Sequence, residues 1–225
     1  MSYPQFQAAS DYLGAIADED YVKALPSNSY EDRGGAVLDG PEAGYKVTYT
    51  QADAEAVTAE DGRVILMDEH LADSDAMDYD MDRADGEWAL SDYVQKGIEV
   101  LDNDTGFFMM CEGGKIDWAC HGNDPATVFE EVVDMDNAIK VAYEFYKKHP
   151  KETLIVVTAD HETGGLGIGT MNDYFFDPAV VNNVKATMEK IGQDFKKHND
   201  ENKLWADFYN ASGIAYDSLT DAEKS

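Results

Sequence analysis

Apolar residues along this chain follow two rhythms. Short runs at 45–49, 64–67, 107–111 and 154–157 are only four or five residues long, and their length and setting read as β-strands. Between the last two runs, Val128, Val132, Met135, Ile139, Ala142 and Tyr146 recur at steps of three and four, which places them on one face of a helix. The ends of that helix carry their own signals. Asp124 followed by Pro125 suits an N-cap and first turn, and Pro150 stops the pattern. A second helix is expected from Asp177 and Pro178 onward, with Val181, Val184, Met188, Ile191 and Phe195 on one stripe. From about residue 40, then, strands alternate with helices, which predicts an α/β domain with a largely parallel sheet and helices on both faces.

The stretch 72–85 is crowded with aspartate, has no apolar period and is expected to be a loop. Residues before 40 are weakly patterned, and there is no internal repeat. Near the end, Thr220 and Glu223 have the form of a capping box with no helix to follow, so the chain is expected to have been cut there.

Composition narrows the picture. With 225 residues and 44% hydrophobic content the chain can bury a substantial core. Its longest apolar runs fall far short of the roughly 20 residues that cross a bilayer. The first ten residues lack a basic region and an apolar stretch, so no secretory signal is expected in this chain. Seventeen Lys and Arg against 46 Asp and Glu leave a net charge of −29. Nucleic acid and anionic membranes are therefore poor partners, and most of these acids read as a solvated surface. Cys111 and Cys120 fit neither a redox pair nor a zinc knuckle, which leaves their pairing open.

The candidate chemistry sits at two strand ends. The run 107–111 leads directly into Glu112, Gly113 and Gly114, where the glycines permit a sharp turn. Ligands gather at the carboxyl edge of parallel sheets, so Glu112 is expected in that crevice. Asp117 and His121 follow, four residues apart, a spacing that brings carboxylate and imidazole to one helical face and suits a divalent zinc. The run 154–157 repeats the logic by leading into Asp160 and His161. Either pair alone reads as a cap or a hydrogen-bonded loop. Their joint occurrence at consecutive strand ends points to a metal site.

Glu112-Gly-x-x-Ile116-Asp117-x-x-x-His121, followed about forty residues later by Thr158-Ala-Asp160-His161-Glu-Thr163-Gly-Gly, resembles the alkaline phosphatase family. The strong match covers about residues 105–169, including Val133 to Asp136 in the intervening helix. The resemblance implies two zinc ions and one magnesium, with Asp117 and His121 on the first zinc, Asp160 and His161 on the second, and Glu112 on the magnesium. It further implies hydrolysis of phosphate monoesters through a phosphoserine intermediate, with a phosphate monoester or inorganic phosphate as the bound partner. A homodimer and a periplasmic or secreted location are family traits. Residues 1–170 would form a partial core, incomplete relative to the family, and 171–225 a helical, insertion-like segment.

The chain departs from the pattern in several places. The family's Asp-Ser-Ala nucleophile segment has no counterpart: Ser74 is nearest in appearance but lies in the acidic loop. The early bridging aspartate, the phosphate-clamping arginine and the late histidine of the first zinc are missing too. Arg33, Arg63 and Arg83 have no phosphate-binding context, and His198 reads as a surface residue. Two readings stay open at this stage. One is part of a phosphomonoesterase, inactive by itself; the other is a non-catalytic metal-binding remnant or paralogue.

Overall fold

The computed structural model describes residues 44–72, 76–163, 181–197, 208–209 and 211–213. The expected start signal at Thr220, Ser74 and His198 lie outside them. The described residues divide into two compact units.

The first unit holds residues 44–69 and 99–106. Its strands β1 (Lys46–Thr48) and β2 (Val64–Leu66) pair in parallel, Lys46 opposite Val64 and Thr48 opposite Leu66. Helix α1 (Gln51–Glu55) and a 3-10 turn (Ala59–Asp61) make the crossover. Thr50 caps α1 by accepting from the Asp53 amide, one of the free donors at a helix start. Lys46 clamps the crossover through a 2.8 Å ion pair to Asp61, and that contact is the main reason the Asp61 carboxyl titrates below its usual range. The two earliest predicted strands thus form as a parallel pair.

The second unit is built on helices. Helix α2 (Leu90–Leu101) contributes its turns through Ile98, α3 (Gly114–His121) follows the candidate glutamate, and the long α4 (Pro125–Lys148) packs against α3. Asp124 caps α4 from the position expected: its side chain accepts from the Thr127 amide at 3.2 Å and the Thr127 hydroxyl at 2.6 Å, with Pro125 in the first turn. His149 closes the other end.

The buried face of α4 differs from the predicted stripe by one position. Val128 is buried as predicted, but beyond it Glu131, Asp134 and Ala138 face inward together with Thr127, while Val132 is 48% exposed. Periodicity scored only apolar residues, whereas here two acids are buried because they are satisfied. The Asp80 amide donates to Glu131 at 2.7 Å, and Arg83 reaches Asp134 at 3.0 Å and Asp80 at 2.8 Å. The described part of the expected loop, 76–85, carries no helix or strand, yet it is anchored through these contacts. It also buries the Tyr79 ring against Ala119 and Val128. Burial, with the Glu189, Glu131 and Asp124 carboxylates nearby, pushes the Tyr79 phenol well up.

Residues 107–111 alternate in burial as a strand does. Phe107, Met109 and Cys111 pack on Val94, Ile98 and Ala138, while Phe108 on the opposite face is 86% exposed. Gly97 leaves room for the Met109 methyl, which a Cβ at that position would approach within 2.7 Å and push aside. Residues 154–157 are likewise without helix, and Leu154 is 86% exposed. Both runs were expected as sheet strands, but among the described residues neither has a ladder partner; a strand needs an adjacent backbone to saturate its amides.

The second predicted helix is broken. A helical turn at 181–182 gives way, and α5 (Met188–Lys197) starts afresh because the Thr187 hydroxyl caps it, accepting from the Lys190 amide at 3.0 Å. Thr187 itself is buried and donates to Asp82 at 2.6 Å, and the Met188 amide donates to Asp124 at 2.8 Å. Ile191 is buried as expected, whereas Met188 is exposed. Cys111 and Cys120 are both free thiols, raised in pKa chiefly by burial, and pack in different apolar clusters. No helix among the described residues is long and apolar enough to cross a membrane.

Candidate metal centre

Glu112 is the exposed end of the 107–111 run, and its carboxylate lies back over the start of α3, 3.4 Å from where a Gly114 Cβ would stand. The turn that follows does not use a left-handed backbone, because Gly113 has φ −84°. Glycine here instead leaves room for neighbouring side chains. A Cβ there would meet Ile116 at 3.0 Å and the Met135 sulfur at 3.3 Å.

Helix α3 presents Asp117 and His121 one turn apart, as their spacing predicts. His121 Nε2 lies 3.6 Å from Asp117 Oδ2. In the second motif His161 Nε2 lies 3.3 Å from Asp160 Oδ2. A charge-assisted hydrogen bond would close to about 2.7–2.9 Å. Two ligands each about 2.0–2.1 Å from a tetrahedral zinc stand about 3.3–3.4 Å apart, the edge of the tetrahedron. Both pairs are near that edge length, and oxygen with imidazole nitrogen is a donor set zinc accepts.

The ring of His161 is fixed by its other nitrogen. Nδ1 lies 2.8 Å from the Glu162 carbonyl, an acceptor only, so heavy-atom geometry assigns a proton to Nδ1 and makes Nε2 the nitrogen that faces Asp160. That carbonyl, and next the Asp160 carboxylate, raise the His161 pKa above its ordinary value.

The two motifs meet through a residue that pattern reading passed over as a ligand. The Thr163 hydroxyl donates to Asp117 Oδ1 at 2.5 Å and lies 3.2 Å from His161 Nδ1. One member of each pair is therefore joined to the other across 46 positions of sequence. The Asp160–His161 pair is consequently held beside Asp117. Among the described residues no three acids, imidazoles or thiols are gathered to hold one ion, so each pair stands as two and Glu112 joins neither. Next to Asp117, the Lys115 ammonium lies over the rings of Tyr79 at 4.0 Å and Trp118 at 4.4 Å.

Comparison with known proteins identifies the family. The family profile described as alkaline phosphatase matches residues 41–218. Alkaline phosphatase 4 of Bacillus subtilis is 41% identical over 110 residues, which is 48% of this chain and 24% of that protein. Alkaline phosphatase 3 of the same organism is 36% identical over 136 residues, or 60% and 29%. The crystal structure of a cold-active alkaline phosphatase from a psychrophilic Shewanella superposes with a TM-score of 0.69 at 29% identity, covering 83% of this chain and 44% of that one. The chain thus belongs to the alkaline phosphatase family, whose enzymes are phosphomonoesterases that use metal ions. It spans well under two thirds of the length of these relatives. The expected α/β fold of alkaline phosphatase type stands, in an incomplete form.

Proposed function

We propose that this chain supplies metal-ligand segments to a phosphomonoesterase, with Asp117 and His121 on one zinc ion, Asp160 and His161 on a second, and Glu112 on a magnesium ion. The observation that carries this reading is the junction of the two motifs through Thr163, which brings ligands from distant sequence beside one another. Both pairs are open to solvent, as a site for an external phosphate ester requires. Glu112 offers oxygen donors only, the chemistry magnesium prefers.

Ions held by these residues would supply positive charge to the oxygens of a phosphate ester and would lower the pKa of bound water. The chain's own residues make that possible in stated ways. Asp117 and Asp160 contribute anionic oxygens, and His161, with its proton held on Nδ1, turns a lone pair outward. The charge of −29 otherwise repels a phosphate dianion, so local neutralisation at these pairs is needed before the substrate can approach. The serine that attacks phosphorus is not supplied from this sequence, and the chain alone is inactive. A homodimer, and a periplasmic or secreted location, follow from the family reading; the division into a partial core at 1–170 and an insertion-like 171–225 belongs to the same proposal.

Turnover of p-nitrophenyl phosphate with zinc and magnesium tests it. The isolated chain is expected to show none, while a chimera completing it with the unmatched portion of the Shewanella enzyme is expected to hydrolyse the ester. Robust metal-dependent turnover by the isolated chain contradicts the missing nucleophile. Turnover by the chimera that survives Asp117→Asn combined with Asp160→Asn contradicts the ligand assignment.

A further inference from the structure

We propose that Thr163 is a positioning residue for both ligand pairs at once, its single hydroxyl holding the non-ligating side of one member of each. This rests on the zinc reading above and deepens it.

Asp117 has two carboxylate oxygens: Oδ2 faces His121 Nε2, and Oδ1 is taken by the Thr163 hydroxyl. His161 has two ring nitrogens: Nε2 faces Asp160 Oδ2, and Nδ1 is turned toward the Glu162 carbonyl and the Thr163 oxygen. In each case Thr163 meets the atom that a metal would leave unused.

The hydroxyl's bonding capacity fits the double role. It carries one proton and two lone pairs. The proton goes to Asp117 Oδ1, since a carboxylate accepts and cannot donate. A lone pair then faces Nδ1–H, which is shared between the Glu162 carbonyl at 2.8 Å and Thr163 at 3.2 Å. Every partner has the polarity it needs. Reversing the tautomer would set a nitrogen lone pair against the Glu162 carbonyl oxygen, so this network also selects the form of His161 whose Nε2 can bind metal.

A purely local role, such as steadying the 160–163 turn, would not require a partner on α3. Thr163 instead spans from the second motif to the first. Outer partners of this kind hold ligands in the orientation a metal needs, and their loss typically weakens metal binding 10–100-fold.

The test is zinc titration of the full chain by calorimetry, beside 15N NMR of the His161 ring. Thr163→Val, nearly isosteric but without the hydroxyl, is expected to weaken zinc binding about 10–100-fold and to shift His161 away from the Nδ1–H tautomer. Thr163→Ala, measured in parallel, should show the same loss, which guards against poor accommodation of the valine. Thr163→Ser keeps the hydroxyl and is expected to bind within threefold of wild type. Zinc affinity unchanged in both Thr163→Val and Thr163→Ala overturns the proposal and leaves the ligand assignment intact, as does failure of serine to restore binding. If the wild-type chain binds zinc no better than Asp117→Asn combined with Asp160→Asn, the ligand assignment falls and Thr163 falls with it.

Discussion

Two groups of acids in this chain invite comparison, because they use the same side chains to opposite ends. Asp80, Glu131 and Asp134 surround a guanidinium: Arg83 bonds two of them, and the third accepts from the Asp80 amide. Glu131 and Asp134 are buried on α4, and the cation that balances them is part of the chain. Asp117 and Asp160 are more exposed, and each faces an imidazole nitrogen, at 3.6 Å and 3.3 Å, longer than a charge-assisted hydrogen bond. A carboxylate closed by its own cation is structural. On the zinc reading proposed above, one that faces an imidazole nitrogen across a gap the width of a tetrahedral edge would take its cation from outside.

The largest effect that follows concerns the closed group. Arg83→Ala leaves Asp134 and Glu131 without their cation on a buried helix face, and urea unfolding is expected to show a loss of about 3–5 kcal/mol. Asp117→Asn keeps an oxygen for the Thr163 hydroxyl at a half-exposed position, and by contrast is expected to cost about 0.5–1.5 kcal/mol while weakening zinc binding. Equal destabilisation by the two would erase the distinction between the groups.

A smaller effect depends on pH. Burial, partly opposed by the bond from the Asp80 amide and by Arg83, pushes the Glu131 carboxyl up to about 7. A raised carboxyl pKa means that the folded chain favours the protonated form. Its contribution to stability is full below about pH 4.5 and is lost as pH rises through about 7. Glu131→Gln keeps an oxygen for the Asp80 amide but cannot ionise. Its stability relative to wild type is therefore expected to improve by about 1–3 kcal/mol between pH 5 and pH 8. Thermal melts across that range check it, and a difference that stays flat with pH would show that Glu131 ionises freely in the fold.

Much of this could be read from the sequence, and what could not has physical causes. The cap at Asp124, the stop before Pro150, the parallel pairing of the first two strands and the spacing of Asp117 and His121 all depend on local rules. The inward face of α4 was misread because burial of Glu131 and Asp134 depends on Arg83, some fifty positions earlier, which no periodicity reports. The break before Met188 was missed for a similar reason: Thr187 caps α5 while its own hydroxyl is bound to Asp82, 105 positions away. Thr163 stood in plain sight within the Asp160–His161 motif. Its hydroxyl beside two candidate ligands was the available signal, but its partner on α3 became visible only in three dimensions.

The most direct measurement is a crystal structure of the zinc-soaked chain with diffraction recorded on both sides of the zinc absorption edge. Two anomalous peaks about 4 Å apart are predicted, one shared by Asp117 and His121 and the other by Asp160 and His161. Zinc found instead on the acids around Arg83, or on one pair with the other pair turned away, would contradict the account.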